Sequence, residues 1–94
     1  MIQYGTILGF VSTPDGDPIE GATALIVTGP AHADIAAITD ERGLFELSDL
    51  DPGFYVIRIS ADGCEPVREG VQVRGGQVSR IYVVLQSNVE DEIE

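Results

Sequence analysis

Ninety-four residues suffice for one compact domain, because a second hydrophobic core would need roughly 50 more. Hydrophobic residues make up 44% of the chain and charged residues 22%, which excludes wholesale disorder. Sixteen acidic residues against five arginines and no lysine leave a formal charge of −11. Nucleic acid and anionic membrane surfaces need clustered cations and are excluded as partners.

The opening Met1-Ile2-Gln3-Tyr4-Gly5 has no positive n-region. No apolar run approaches the ~18–20 residues of a membrane span. The expectation is cytoplasmic synthesis or a place in a larger assembly. Residues 4–12 read as a first strand, closed by the turn residues Thr13-Pro14-Asp15-Gly16-Asp17-Pro18. Residues 22–28 form a second, stopped by Gly29-Pro30, and residues 35–39 a third. Asp40-Glu41-Arg42-Gly43 turns the chain into a fourth over residues 44–47. Asp51-Pro52-Gly53 starts the most regular strand, residues 54–60, and Ala61-Asp62-Gly63 ends it. Residues 67–73 and 78–85 are the last two, joined through Arg74-Gly75-Gly76, a hairpin signal. Short strands at intervals of about ten residues mark an all-β sandwich. The domain should cover residues 1–86, and residues 87–94, with four acids and little to bury, read as a flexible acidic tail.

Several of these segments together resemble a known family. Gly9-Phe10-Val11 with Asp15-Gly16-Asp17-Pro18-Ile19-Glu20-Gly21-Ala22 is similar to the opening of carboxypeptidase regulatory-like domains, in the transthyretin-like sandwich group. Thr39-Asp40-Glu41-Arg42-Gly43-Leu44-Phe45 and Leu50-Asp51-Pro52-Gly53-Phe54-Tyr55 resemble that family's middle section. Gly63, the Val71/Val73 pair and Val83/Leu85 agree in spacing, so the likeness runs over about residues 5–86. It implies a seven-stranded, mostly antiparallel sandwich, Ig-like or transthyretin-like, and a non-catalytic module attached to other machinery. Physically, Gly43 should take the positive φ of its turn and Phe45 should enter the core directly after it.

The chemistry of enzymes with related folds lacks its residues here. Ureide hydrolases need several His and Arg; intradiol dioxygenases bind iron through paired Tyr and His, and His32 stands alone. Isopeptide-forming adhesins need lysine. Cys64 precludes an internal disulfide, and its acidic neighbours Asp62 and Glu65 do not favour a thiolate. The serines have no basic partner at a suggestive spacing. Asp49 and Asp51 are paired carboxylates, but in a turn, where Asp serves local backbone hydrogen bonds. No catalytic site and no cofactor are expected.

Two features go further. With Ile7, Gly9, Val11, Ala24, Ile26, Phe45, Leu47, Tyr55, Ile57, Ile59, Ile81, Val83 and Leu85 as the core, alternation turns Leu8, Phe10, Leu25, Val27, Phe54, Val56, Tyr82 and Val84 outward. Eight outward apolar residues on four strands suggest one contiguous contact patch. If successive strands alternate in direction, eleven of the sixteen acids gather at one pole, on loops 13–20, 40–43 and 61–66 and on the tail. Asp15, Asp17, Asp40 and Asp62 are the candidate calcium ligands there, although no loop has EF-hand spacing and a solvated pole is the favoured reading. The expected role is a structural or adhesive module that docks through an apolar sheet face onto a protein partner, a larger assembly (a virion, phage or secretion-apparatus part) or copies of itself. The alternative is a carbohydrate- or peptide-binding accessory domain, which the absence of Trp disfavours for sugar.

Overall fold

Strand β1 (Gly5–Ser12) buries Gly5, Ile7, Gly9 and Val11 and leaves the residues between them half-covered. That is the period-two pattern of a strand covered on one face. The computed structural model describes residues 3–30 and 35–87. Six more strands follow within them: β2 (Thr23–Thr28), β3 (Ala36–Ile38), β4 (Leu44–Leu50), β5 (Gly53–Ser60), β6 (Val67–Val73) and β7 (Val78–Val84). Among the described residues no helix is long and apolar enough to cross a membrane.

The strands form two sheets, β4–β1–β7 and β3–β2–β5–β6. Neighbours are antiparallel except β1 and β7, which run parallel from Thr6 opposite Val78 to Ser12 opposite Val84. The two inner faces share one core, led by Tyr55, Ile57 and Ile59 of β5, Ile7 and Val11 of β1, and Phe45 of β4. Buried Tyr55 donates its hydroxyl to the Asp51 carbonyl at 2.6 Å, so its polar end is satisfied inside. Gly43 has φ 77°, the conformation its turn was expected to need.

The expected core is present with one exception and several additions. Ile81 is only half-buried, because β7 is an edge strand and leaves one side of it open. Ala22, Leu50, Val71 and Val73 join the core. Leu50 enters through a bulge: Gly5 and Ile7 of β1 face Leu50 and Leu47 of β4, so β4 carries an extra residue, and Asp49 there has φ 58°. A bulge resets alternation, which lets Leu47 and Leu50 point the same way. Strict period-two reading ends the inward row at Leu47.

Successive strands do alternate in direction, so loops 13–20, 40–43 and 61–66 and the end of β7 meet at one pole. Backbone bonds tie it together: Val11 N–H to Gly43 C=O at 2.8 Å, Ile19 N–H to Val11 C=O at 3.0 Å, and Glu65 N–H to Gln86 C=O at 2.8 Å. Of the expected tail, residues 87–94, only Ser87 is among the described residues. Ser87 pairs with Cys64 as an isolated bridge. Residues 88–94, and residues 31–34 with His32, lie outside the described residues.

Candidate protein-binding faces

The eight outward apolar residues do not form one contiguous patch. Leu8, Phe10, Tyr82 and Val84 belong to β1 and β7; Leu25, Val27, Phe54 and Val56 belong to β2 and β5. These strand pairs lie in different sheets, whose outer faces look away from each other across the shared core. Strand patterning reveals which residues leave the core, but not which sheet each strand joins.

On the three-stranded sheet the register sets Leu44, Phe10 and Tyr82 side by side across all three strands. Phe10 and Tyr82 make a T-shaped ring contact with centroids 6.4 Å apart. Tyr82 is 74% exposed and Val84 45%, while Leu8, Phe10 and Leu44 are half-covered. The next row, Glu46, Leu8 and Arg80, borders this strip with one charge of each sign. Leu44 was not singled out as a surface residue, though its place beside the inward Phe45 is the signal that identifies it.

On the four-stranded sheet Phe54 is 57% exposed, and Leu25, Val27 and Val56 are half-covered. Here too a bulge alters the expected row. Val56 faces Thr28, because β2 has an extra residue between Ile26 and Thr28, and Val27 falls within the bulge. Leu25 faces Arg58, and Arg58 faces Arg68 on β6. Ile38 at the β3 edge is 69% exposed and also escaped the alternation argument, which stopped short of that strand.

At the acidic pole the side chains of Asp40 and Thr13 serve their own turns. The Asp40 carboxylate accepts the backbone N–H groups of Arg42 at 2.8 Å and Leu44 at 3.0 Å. The Leu44 amide first, then the Arg42 amide, hold this carboxyl below the ordinary aspartate range, and the Arg42 guanidinium acts in the same direction. Asp17 donates its backbone N–H to the Thr13 hydroxyl at 3.1 Å. Among the described residues no three acidic, His or Cys side chains are grouped to hold a metal ion, so Asp15, Asp17, Asp40 and Asp62 are not brought together. Asp49 is exposed in the β4 bulge, and Cys64 is half-buried against the core.

The family profile of the carboxypeptidase regulatory-like domain matches residues 6–86. No curated protein matches the chain. Among solved structures, the minor pilin GBS52 of Streptococcus agalactiae superposes with a TM-score of 0.75 at 14% identity, over 100% of this chain and 49% of that one. Hydroxyquinol 1,2-dioxygenase from Pseudomonas putida gives 0.72 at 12% identity, over 94% and 58%. A chain of the type II cohesin–X–dockerin complex of Acetivibrio cellulolyticus gives 0.67 at 22% identity, over 88% and 58%. At such identities the likeness shows the fold alone. The chain spans less than two thirds of each of these three proteins.

Proposed function

The chain belongs to the carboxypeptidase regulatory-like domain family, and from that premise we propose that it is a non-catalytic structural or adhesive module that docks through the outer face of β4–β1–β7. The carrying observation is the strip Leu44–Phe10–Tyr82, which crosses every strand of that sheet and ends in a largely exposed tyrosine. A sheet face turned to water ordinarily alternates to polar residues; this one alternates to leucine, phenylalanine and tyrosine. Aromatic side chains flanked by a charged rim are the composition of a contact surface. The fold supports the same reading, since a pilin and a cohesin–X–dockerin complex use sandwiches of this shape. A dioxygenase uses it too, but intradiol iron binding needs paired histidines, and this sequence has His32 alone.

The occupant of the face is another protein surface, either a larger assembly or a second copy. Light scattering over a concentration series tests the second form directly. Self-association that Tyr82→Ser abolishes, with the fold kept, is the expected result. A strictly monomeric wild type overturns docking onto itself. Docking as a whole is overturned if a solvent-borne paramagnetic probe still broadens Phe10 and Tyr82 once the chain sits in its native assembly.

A further inference from the structure

The outer face of β3–β2–β5–β6 carries a different chemistry. Arg58 and Arg68 are direct cross-strand partners, and both are exposed. Like charges placed opposite one another destabilise a sheet, and a chain with sixteen carboxylates has no shortage of acid to set between them. Yet among the described residues no acid occupies a neighbouring place on this face. Arg58 has Leu25 as its other cross-strand partner and Val56 and Ser60 along its own strand. Arg68 stands between Pro66 and Gly70 on its side of the strand. Glu69 points to the other side, since its partner is the core residue Ile57.

Beyond the two arginines the β5 row turns apolar, with Thr28 opposite Val56 and Gln72 opposite Phe54 as its polar neighbours. Leu25 and Val56 lie beside them, and Gly70, opposite Val56, has no side chain. The Phe54 ring reaches over that gap: a Cβ on Gly70 would fall 2.6 Å from its Cζ. Arg58, Val56 and Phe54 therefore follow one another at alternate positions of β5.

We propose that this face binds an extended acidic polypeptide segment of a partner protein. A carboxylate of the segment bridges the Arg58 and Arg68 guanidiniums, whose planar forks suit carboxylate oxygens. Its side chains two and four places further on lie over Val56 and Phe54, because an extended chain repeats on one side every ~6.6 Å, as β5 does. Charge complementarity selects this occupant. A basic segment would add to the repulsion between the two arginines, whereas an acidic one removes it. The −11 charge of the chain opposes approach at long range, but physiological salt confines that field to about 8 Å. This surface is separate from the β4–β1–β7 face, so the two readings stand or fall independently.

The test is titration of the isotope-labelled full chain with a short synthetic peptide bearing glutamates at one end and leucines at alternate positions toward the other, followed by backbone amide shifts. Saturable shifts should appear around Leu25, Val56, Arg58 and Arg68. They should vanish when lysine replaces glutamate in the peptide and weaken roughly tenfold or more in the Arg58→Gln/Arg68→Gln protein, whose melting temperature is checked in parallel. Tyr82→Ser should leave the titration unchanged. Absence of saturable shifts, shifts on β4–β1–β7 instead, or equal binding of the lysine peptide overturns the proposal. So does preference for dextran sulfate over the peptide. Shifts that appear only after deletion of residues 88–94 assign the arginines to the chain's own acidic segment, and shifts that grow with protein concentration alone assign them to a second copy; either result removes the partner.

Discussion

Phe10 on β1 and Tyr82 on β7 meet in a T-shaped contact, their ring planes inclined at 68° across a parallel strand pair. Such aromatic pairs contribute ~0.5–1.5 kcal/mol beyond the area they bury. In a double-mutant cycle on Phe10→Ala and Tyr82→Ala, urea melts should show a coupling of about that size. Tyr82→Ala should weaken association by more than ~1 kcal/mol, the mark of a hot spot. Strict additivity in the melts would mean that the rings contribute independently.

Gly9 and Phe45 are cross-strand partners in the core, and a methyl group on Gly9 would overlap the Phe45 ring. Phe45→Ala should cost roughly 3–5 kcal/mol and Gly9→Ala ~1–3 kcal/mol through overpacking. The double variant should cost less than the two together, because the new methyl enters the space that the ring vacates. Thermal or urea unfolding of the three variants checks this, and a double variant at or above the sum contradicts it.

Thr39 is 3% exposed and joins two segments of the acidic pole. Its hydroxyl donates to the Ile19 carbonyl at 2.6 Å and accepts the Ala22 N–H at 2.9 Å. Thr39→Val keeps the shape but strands both groups, which should cost about 1–3 kcal/mol. Thr39→Ser retains the hydroxyl and should lose less. Equal losses in the two variants would show that the methyl, not the hydrogen bonds, matters.

Asp40 carries the pH dependence of the β3–β4 turn. Its folded pKa is lowered by the Leu44 and Arg42 amides and by the Arg42 guanidinium, so its contribution is complete above the unfolded value near 3.9. That contribution is lost as pH falls below this value, when the carboxylate takes up a proton. Asp40→Ala should therefore lower the melting temperature at pH 7 and make much less difference near pH 2. Asp40→Asn, which keeps one acceptor oxygen, should fall between. A penalty for Asp40→Ala that does not shrink in acid would assign the effect to the turn's shape.

The acidic loops should respond to ionic strength and not to one ion. Crowded surface carboxylates repel, and salt screens them over ~8–10 Å near physiological strength. Calcium and magnesium at equal ionic strength should raise the melting temperature alike and modestly. A saturable calcium-specific rise, abolished by Asp17→Asn, would establish a site and reverse this reading.

Alternation and turn chemistry by themselves determine seven strands, the inward residues Ile7, Phe45, Tyr55 and Ile57, and the gathering of acidic loops at one end. These are local properties: a side chain's direction follows from its place in a period of two, and a loop's end of the sandwich from strand parity. What the sequence leaves undecided is pairing. Phe10 and Phe54 look equivalent in the chain, yet one lies on each outer face, because which strands become neighbours depends on how the whole core closes. The bulges at Asp49 and Val27 belong to the same category. Each exists only relative to a partner strand, and each shifts the alternation that local reading extends unbroken. Arg58 and Arg68 are ten residues apart in the sequence and ordinary there; only the β5–β6 register makes them a pair.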